Sequence, residues 1–271
     1  MRHALFFPPF GELCEPEVVM GIAREAERNG WDGIFLWDHM IRPAGDPQEI
    51  ADPWILLSAV AAATTRIRLG PMVTPLARRR PQKVARETVT LDHLSHGRLL
   101  LGVGLGVDGG GELARFGECT DETERAAVLD EALDLLFALW SGEEVTHSGH
   151  HFVAQGVRFL PTPVQAPRIP VWGATMGDRA REGPIRRAAR LDGVFPVRVG
   201  VDRFRRIVEE VRELRGSLEG YDIAAEVPPD AGGVALDELV DAGATWIVRS
   251  FPARTARADV ERLAGRPPAP R

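Results

Sequence analysis

Short apolar runs alternate along the chain with longer segments that carry one apolar face. Ala4-Leu5-Phe6-Phe7 is the first run and ends at Pro8-Pro9, and a second covers 33–37. Buried parallel strands read this way because both of their faces are covered. Between the two, Val18, Ile22 and Ala26 recur at helical spacing behind Pro16, with Gly30 just past the predicted helix 16–29. The same order continues with strands at 67–72, 98–103, 169–172, 193–197, 223–225 and 246–249. Asp52-Pro53 reads as an N-cap and first helical residue leading a helix over 55–63. Pro81 opens another with Val84, Leu91 and Leu94 on one side, and further helices are predicted at 184–190, 201–214, 236–242 and 258–263.

The alternation breaks once, for roughly sixty residues after the strand at 98–103. Leu129, Leu133, Leu136 and Trp140 mark a helix over 120–139. Residues 145–160 alternate weakly around Gly149 and Gly156 and read as a hairpin, and Pro161, Pro163, Pro167 and Pro170 make an extended connector. Eight strands alternating with helices imply an α/β fold with a parallel sheet, and eight such units close a (β/α)8 TIM barrel. The expected organisation is a single barrel domain over 1–265 with an insertion at about 105–168, followed by a tail at 266–271.

Composition narrows the function classes. A hydrophobic fraction of 44% in 271 residues supports a sizeable core. A net charge of −6 and a pI near 5.7 argue against a nucleic-acid surface. Arg78-Arg79-Arg80 is the densest like-charge run, readable as a phosphate grip or as a solvated helix entrance. Cys14 and Cys119 have neither metal-ligand nor redox spacing and are expected to be reduced thiols. No apolar run approaches the length of a membrane span, and Ala4–Phe7 is too short for the core of a signal peptide; a soluble, cytoplasmic protein is expected.

Five segments carry candidate chemistry. Asp38-His39 follows the strand at 33–37, at the end where barrels keep their active sites. A histidine there, with an ordinary pKa of about 6.5, suits proton transfer near neutral pH, whereas the plain alternative has Asp38 cap the loop and His39 pack. Neighbouring side chains at a strand end diverge, so the pair need not touch. Gly70-Pro71-Met72-Val73-Thr74-Pro75 forces an extended path against which an aromatic ring can lie, or is a plain strand exit. The run from Gly102 to Gly111 contains a formal GxGxxG at Gly104–Gly109, but two more glycines oppose the helix that a dinucleotide fingerprint requires; close approach of a ligand to backbone is the better account of Gly104 and Gly106. Gly173-Ala174-Thr175-Met176-Gly177 feeds a helix start and reads as a phosphate seat that Arg179 and Arg181 assist, or as a surface loop. His147, His150 and His151 lack rigid metal-ligand spacing and read as solvent-exposed; no metal site is expected. GxSxG, HExxH and Walker A sequences do not occur.

Taken together, several blocks resemble the bacterial luciferase-like family of flavin-dependent oxidoreductases. They are Glu25-Ala26-Glu27-Arg28-Asn29-Gly30-Trp31-Asp32-Gly33, Trp37-Asp38-His39, Arg66-Ile67-Arg68-Leu69-Gly70 and Pro81-Gln82-Lys83-Val84-Ala85-Arg86-Glu87-Thr88. The most specific runs from Leu91-Asp92-His93-Leu94-Ser95-His96-Gly97-Arg98 to Gly104, and Arg186–Gly193 resembles a later helix-to-strand passage. The resemblance implies a TIM barrel binding FMN or the deazaflavin F420 at its carboxyl end, with a cis peptide at Met72–Val73 bulging against the ring. It implies cofactor contacts at Asp38, Met72, Val73, Thr74, Gly104 and Gly106, a phosphate site along Gly173, Ala174, Thr175 and Gly177, and His39 as the acid/base. The Asp-His pair favours F420. Val107 stands where a sugar-phosphate-oxidising branch carries a glutamate, and the chain is shorter than the luciferase and alkanesulfonate monooxygenase members.

The expected activity is hydride transfer or oxygenation of a small organic substrate, apolar or carbonyl-containing. An FMN oxygenase would need reduced flavin from a separate reductase. A homodimer is implied by the resemblance. The rival classes are a nicotinamide dehydrogenase using Gly104–Gly109 and a non-catalytic flavin carrier.

Overall fold

The computed structural model describes residues 1–177 and 182–268. The strands in chain order begin with β1 (Arg2–Phe7), β2 (Gly33–Leu36), β3 (Arg68–Pro71), β4 (Thr74–Pro75) and β5 (Leu101–Gly104). The hairpin β6 (Glu144–Ser148) and β7 (Val153–Arg158) follows, then β8 (Val171–Met176), β9 (Gly193–Val197), β10 (Asp222–Val227) and β11 (Trp246–Ser250). All strands except the hairpin form one parallel sheet in the order β3-β2-β1-β11-β10-β9-β8-β5-β4. The ring closes because β4 continues β3 two residues on and Leu69 bridges Leu99 in parallel register, its N–H donating to the Arg98 carbonyl at 3.2 Å. The fold is the expected TIM barrel, with its third strand split where the Met72–Val73 peptide is cis.

The helices are α1 (Pro16–Arg28), α2 (Pro53–Ala63), α3 (Pro81–Leu94), α4 (Glu122–Trp140), α5 (Glu182–Ala189), α6 (Val201–Arg215), α7 (Gly233–Asp241) and α8 (Arg257–Ala264). Prolines in the first turns of α1, α2 and α3 supply a preset φ where a backbone donor is unpaired anyway. Asp52 caps α2, accepting from the N–H groups of Trp54 and Ile55 at 2.9 and 3.0 Å. Three expectations shift. Residues 173–176, expected in a small-residue loop after a strand at 169–172, continue β8 to Met176 because they stay paired with β9. Leu94 is exposed rather than on the buried face of α3, which is built from Val84, Ala85, Thr88 and Leu91. The strand expected from residue 98 starts at Leu101, because Arg98 turns inward and donates to the carbonyls of Ala61, Thr64, Ile67 and Ser95 and to the Thr64 hydroxyl. α4, within the expected insertion, packs on α3 as a helix of the outer ring, so the hairpin and its flanking loops are the added material. Of the expected tail, Arg266 is tied down by a bond from Trp31 Nε1 to its carbonyl at 2.9 Å, and residues 269–271 lie outside the described residues.

Two layers of core follow from strand alternation. Outward residues such as Leu5, Phe7, Ile34, Leu36, Leu101 and Val171 meet the helices. Inward residues Ala4, Phe6, Phe35, Met72, Trp172, Phe195, Trp246 and Val248 fill the barrel. At its amino end Trp172 and Trp246 sit 5.3 Å apart in an edge-on pair with Phe35 against both. Gly33 and Gly193 make this plug possible, since a Cβ would stand 3.0 Å from Trp246 and 2.5 Å from Trp172. Arg2 lies over Trp246 at 4.7 Å and pairs with Asp222, closing that end. At the carboxyl end the inward residues Trp37, Val73, Ala174 and Val197 are half-buried, in contrast to the buried amino end.

Candidate active site

The mouth at the carboxyl end is furnished first by the residues that leave β2. Phe35 points inward and Leu36 outward, and the alternation carries Trp37 into the barrel. Trp37 rests against Phe6 at 5.8 Å and Phe10 at 6.0 Å. His39 joins this aromatic wall, 5.6 Å from Trp37 and 6.0 Å from Phe10 between ring centroids. Asp38 points away from it. The two side chains diverge and find different partners.

Asp38 is almost fully enclosed. Arg79 Nη2 donates to both of its oxygens at 2.9 and 2.8 Å, Arg78 Nη2 to one of them at 3.1 Å, and Trp54 Nε1 at 3.4 Å. The arginine run is therefore neither a solvated helix entrance nor a free phosphate grip at these two positions. Arg78 also donates through Nη1 to Glu112 at 2.6 Å, and Glu112 holds His39 Nδ1 through its other oxygen. Only 4% of the Glu112 side chain and 7% of that of Arg78 is exposed, so this pairing is buried. Burial alone would raise the Glu112 carboxyl; His39 and Arg78 outweigh it and hold it below its ordinary value.

The glycines beside the split strand have an internal reason. A Cβ on Gly102 would lie 2.4 Å from Met72 Sδ, one on Gly104 2.9 Å from Val73 Cγ1, and one on Gly106 2.7 Å from Pro75 Cβ. They let β5 press against the segment 71–75. The following loop opens no helix at Gly109; α4 starts only at Glu122. Instead Asp108 accepts from the N–H groups of Leu113 and Ala114, and the loop delivers Glu112 to the mouth.

On the other side, Gly173 lets α5 approach, since a Cβ would stand 2.8 Å from Ala188 Cα, and Gly177 has a φ of +71°. Ala174 is half-buried at the mouth and Thr175 is buried. Arg179 and Arg181 lie outside the described residues. Among the described residues, the buried Thr74 Oγ1, Thr175 Oγ1 and Trp37 Nε1 have no hydrogen-bond partner. Trp37 packs on the inward cluster, so its unpartnered Nε1 fits a ligand seated in the mouth. Thr74 and Thr175 stand in register with outward Val103 and with Pro196, on the helix-facing side of their strands.

His150 is exposed as expected, whereas His147 and His151 are half-buried. His147 Nε2 bonds Glu131 at 3.0 Å, and His151 Nδ1 lies 3.6 Å from Glu124. Glu131 also accepts from the backbone N–H groups of His150, His151 and Phe152, which pins the hairpin to α4. Cys14 is half-buried, with burial pushing its thiol up, and Cys119 is exposed.

Two mouth residues escape a reading of the sequence. Glu112 follows three glycines in an irregular loop, and no periodicity places it. Glu226 was available from alternation: in β10 it pairs with Val248 of β11, an inward residue, and its carboxylate accepts from the Arg198 N–H at 2.7 Å.

A model of the luciferase-like monooxygenase family matches residues 12–232. The chain belongs to that family. Its members are enzymes, F420- and FMN-dependent oxidoreductases and monooxygenases. An uncharacterized protein of Mycobacterium tuberculosis strain H37Rv is 34% identical over 266 residues, covering 90% of this chain and 92% of its own. An F420-dependent glucose-6-phosphate dehydrogenase of Nakamurella multipartita is 29% identical over 231 residues, 79% of this chain and 67% of that protein. The F420-dependent tetrahydromethanopterin reductase of Methanopyrus kandleri shares the fold with a TM-score of 0.80 at 18% identity, over 98% of this chain and 97% of that one. Among the described residues, no helix is long and apolar enough to cross a membrane.

Proposed function

We propose that this enzyme is an F420-dependent oxidoreductase acting on a compact neutral substrate that carries a hydroxyl or carbonyl group. The observation that carries the reading is the mouth itself: an imidazole set in an aromatic wall beside the segment 72–73 of the neighbouring strand, with the Trp37 Nε1 left without a partner. The F420-dependent name of the Nakamurella relative supports it. When bound, F420 supplies the exchange of a hydride with substrate carbon. Trp37, Val73, Gly104 and Ala174 would line the ring's seat, and Thr175 with the loop through Gly177 would hold the phosphate end. His39 holds or releases the substrate-oxygen proton at its ring nitrogen. Phe6, Phe10 and Trp37 keep water away from it. Asp38 shapes the pocket by holding Arg78 and Arg79 rather than by moving a proton.

Titrating the purified protein with F420 and with FMN, each followed by absorbance and fluorescence, tests the reading. Saturable binding of F420 with little response to FMN is expected. Tight FMN binding without F420 binding would overturn the cofactor and leave the family's oxygenase branch, which the matched model's description favours. That branch requires reduced flavin from a partner reductase. Cytoplasmic location and a homodimer belong to this proposal as well, the second checked by light scattering of the same sample.

A further inference from the structure

We infer that Glu112 is the positioning residue of His39: its buried carboxylate, clamped by Arg78, takes the hydrogen of Nδ1 and leaves Nε2 as the nitrogen that exchanges a proton. The inference rests on the reading of His39 as the proton-transfer residue. A neutral imidazole has one N–H and one lone pair, and the partner of one nitrogen decides what the other can do. Glu112 bonds Nδ1 of His39. For Nδ1 to be the lone-pair nitrogen, Glu112 would have to be protonated, and Arg78 Nη1 at 2.6 Å from its other oxygen opposes that. The carboxylate is thus acceptor-only, Nδ1 carries the hydrogen, and the lone pair stands on Nε2.

The surrounding charges keep this arrangement in place. Arg78 spans Asp38 and Glu112, Arg79 completes the pairing of Asp38, and Arg42 lies over the Phe10 ring at 5.7 Å on the other side of the imidazole's wall. Two carboxylates balance two guanidiniums beside His39, so uptake of a proton at Nε2 places an imidazolium against Glu112 and leaves the cluster with one positive charge in excess. His39 comes from the loop after β2, Arg78 from the turn after β4 and Glu112 from the loop after β5. Met40 N–H also approaches Glu112, at 3.4 Å. The glycine-rich run, whose spacing imitates a dinucleotide fingerprint, therefore serves to carry a carboxylate to the imidazole.

The test uses the full chain with ring-labelled histidine, the His39 resonances being assigned by their absence in His39→Gln. At a pH where the ring is neutral, the native protein should show His39 as the Nδ1–H tautomer. Glu112→Gln keeps an acceptor and should keep the tautomer, while its pH–rate profile for kcat/KM moves to lower pH and kcat falls about tenfold; Glu112→Leu should lose the tautomer and about a hundredfold in kcat, KM staying within about twofold in both. If Glu112→Leu does not fold, the pH profile of Glu112→Gln decides alone. A native tautomer in Glu112→Leu, or a native pH profile in Glu112→Gln, overturns the inference, even where stability has dropped. Failure of the native protein to bind F420 or FMN would instead remove the parent reading, and the tautomer measurement would stand without it.

Discussion

Asp38 and His39 are adjacent in the chain, yet the pleat of β2 sends one into a cage of arginines and the other to an aromatic wall. His39→Ala should therefore lower kcat by about a hundredfold or more while F420 still binds, as measured by steady-state turnover and the same fluorescence titration. Native turnover in that variant would remove His39 from the chemistry. Gly70 is a residue-scale requirement of another kind. A Cβ there would stand 1.8 Å from the Leu100 carbonyl oxygen, a backbone atom that cannot rotate away. Gly70→Ala should cost about 2–3 kcal/mol in denaturant unfolding, the upper range of overpacking, because β3 and β5 must part.

At the scale of elements, the hairpin β6–β7 hangs on one carboxylate. Burial would raise Glu131, but the His147 ring and the N–H groups of Phe152 and His151 bring it from 4.5 to about 2. A carboxyl depressed in the folded state stabilises fully above its unfolded pKa and loses that contribution as pH falls through its folded one. The stability difference between native protein and Glu131→Gln should thus be full above about pH 5 and shrink toward pH 2. Thermal unfolding across that range measures it, and a difference independent of pH would show that the charge is irrelevant. Gly149 belongs to the same device, since a Cβ would meet Glu131 Oε1 at 1.9 Å. The hairpin itself was legible as weak alternation around two glycines. Its pin was not, because a glutamate on α4 gives no sign of which distant N–H groups it will cap.

For the molecule as a whole, the plug and the mouth are two ends of one barrel. Trp172, Trp246 and Phe35 fill the amino end, while the inward residues toward the loops after the strands are half-buried. Trp246→Ala should destabilise by about 3–5 kcal/mol, a large-to-small change at a fully buried ring, yet leave F420 affinity nearly native if the cofactor binds at the proposed seat at the other end. Paired denaturation and cofactor titration check both halves; affinity lost in step with stability would mean that the two ends are coupled.

Periodicity, turn prolines and glycines were enough to set out eight parallel strands, their flanking helices and the segment 37–39 at the barrel's active end, because these signals depend on local burial and backbone freedom. Boundaries moved where a side chain had a distant use, as Arg98 did in closing the ring between Ala61 and Ile67. The company that His39 keeps was decided by tertiary structure alone. Three loops far apart in the chain meet over the barrel mouth, and the electrostatics of burial select Glu112 and Arg78 from among thirty-nine acidic and thirty-three basic residues whose sequence surroundings do not distinguish them.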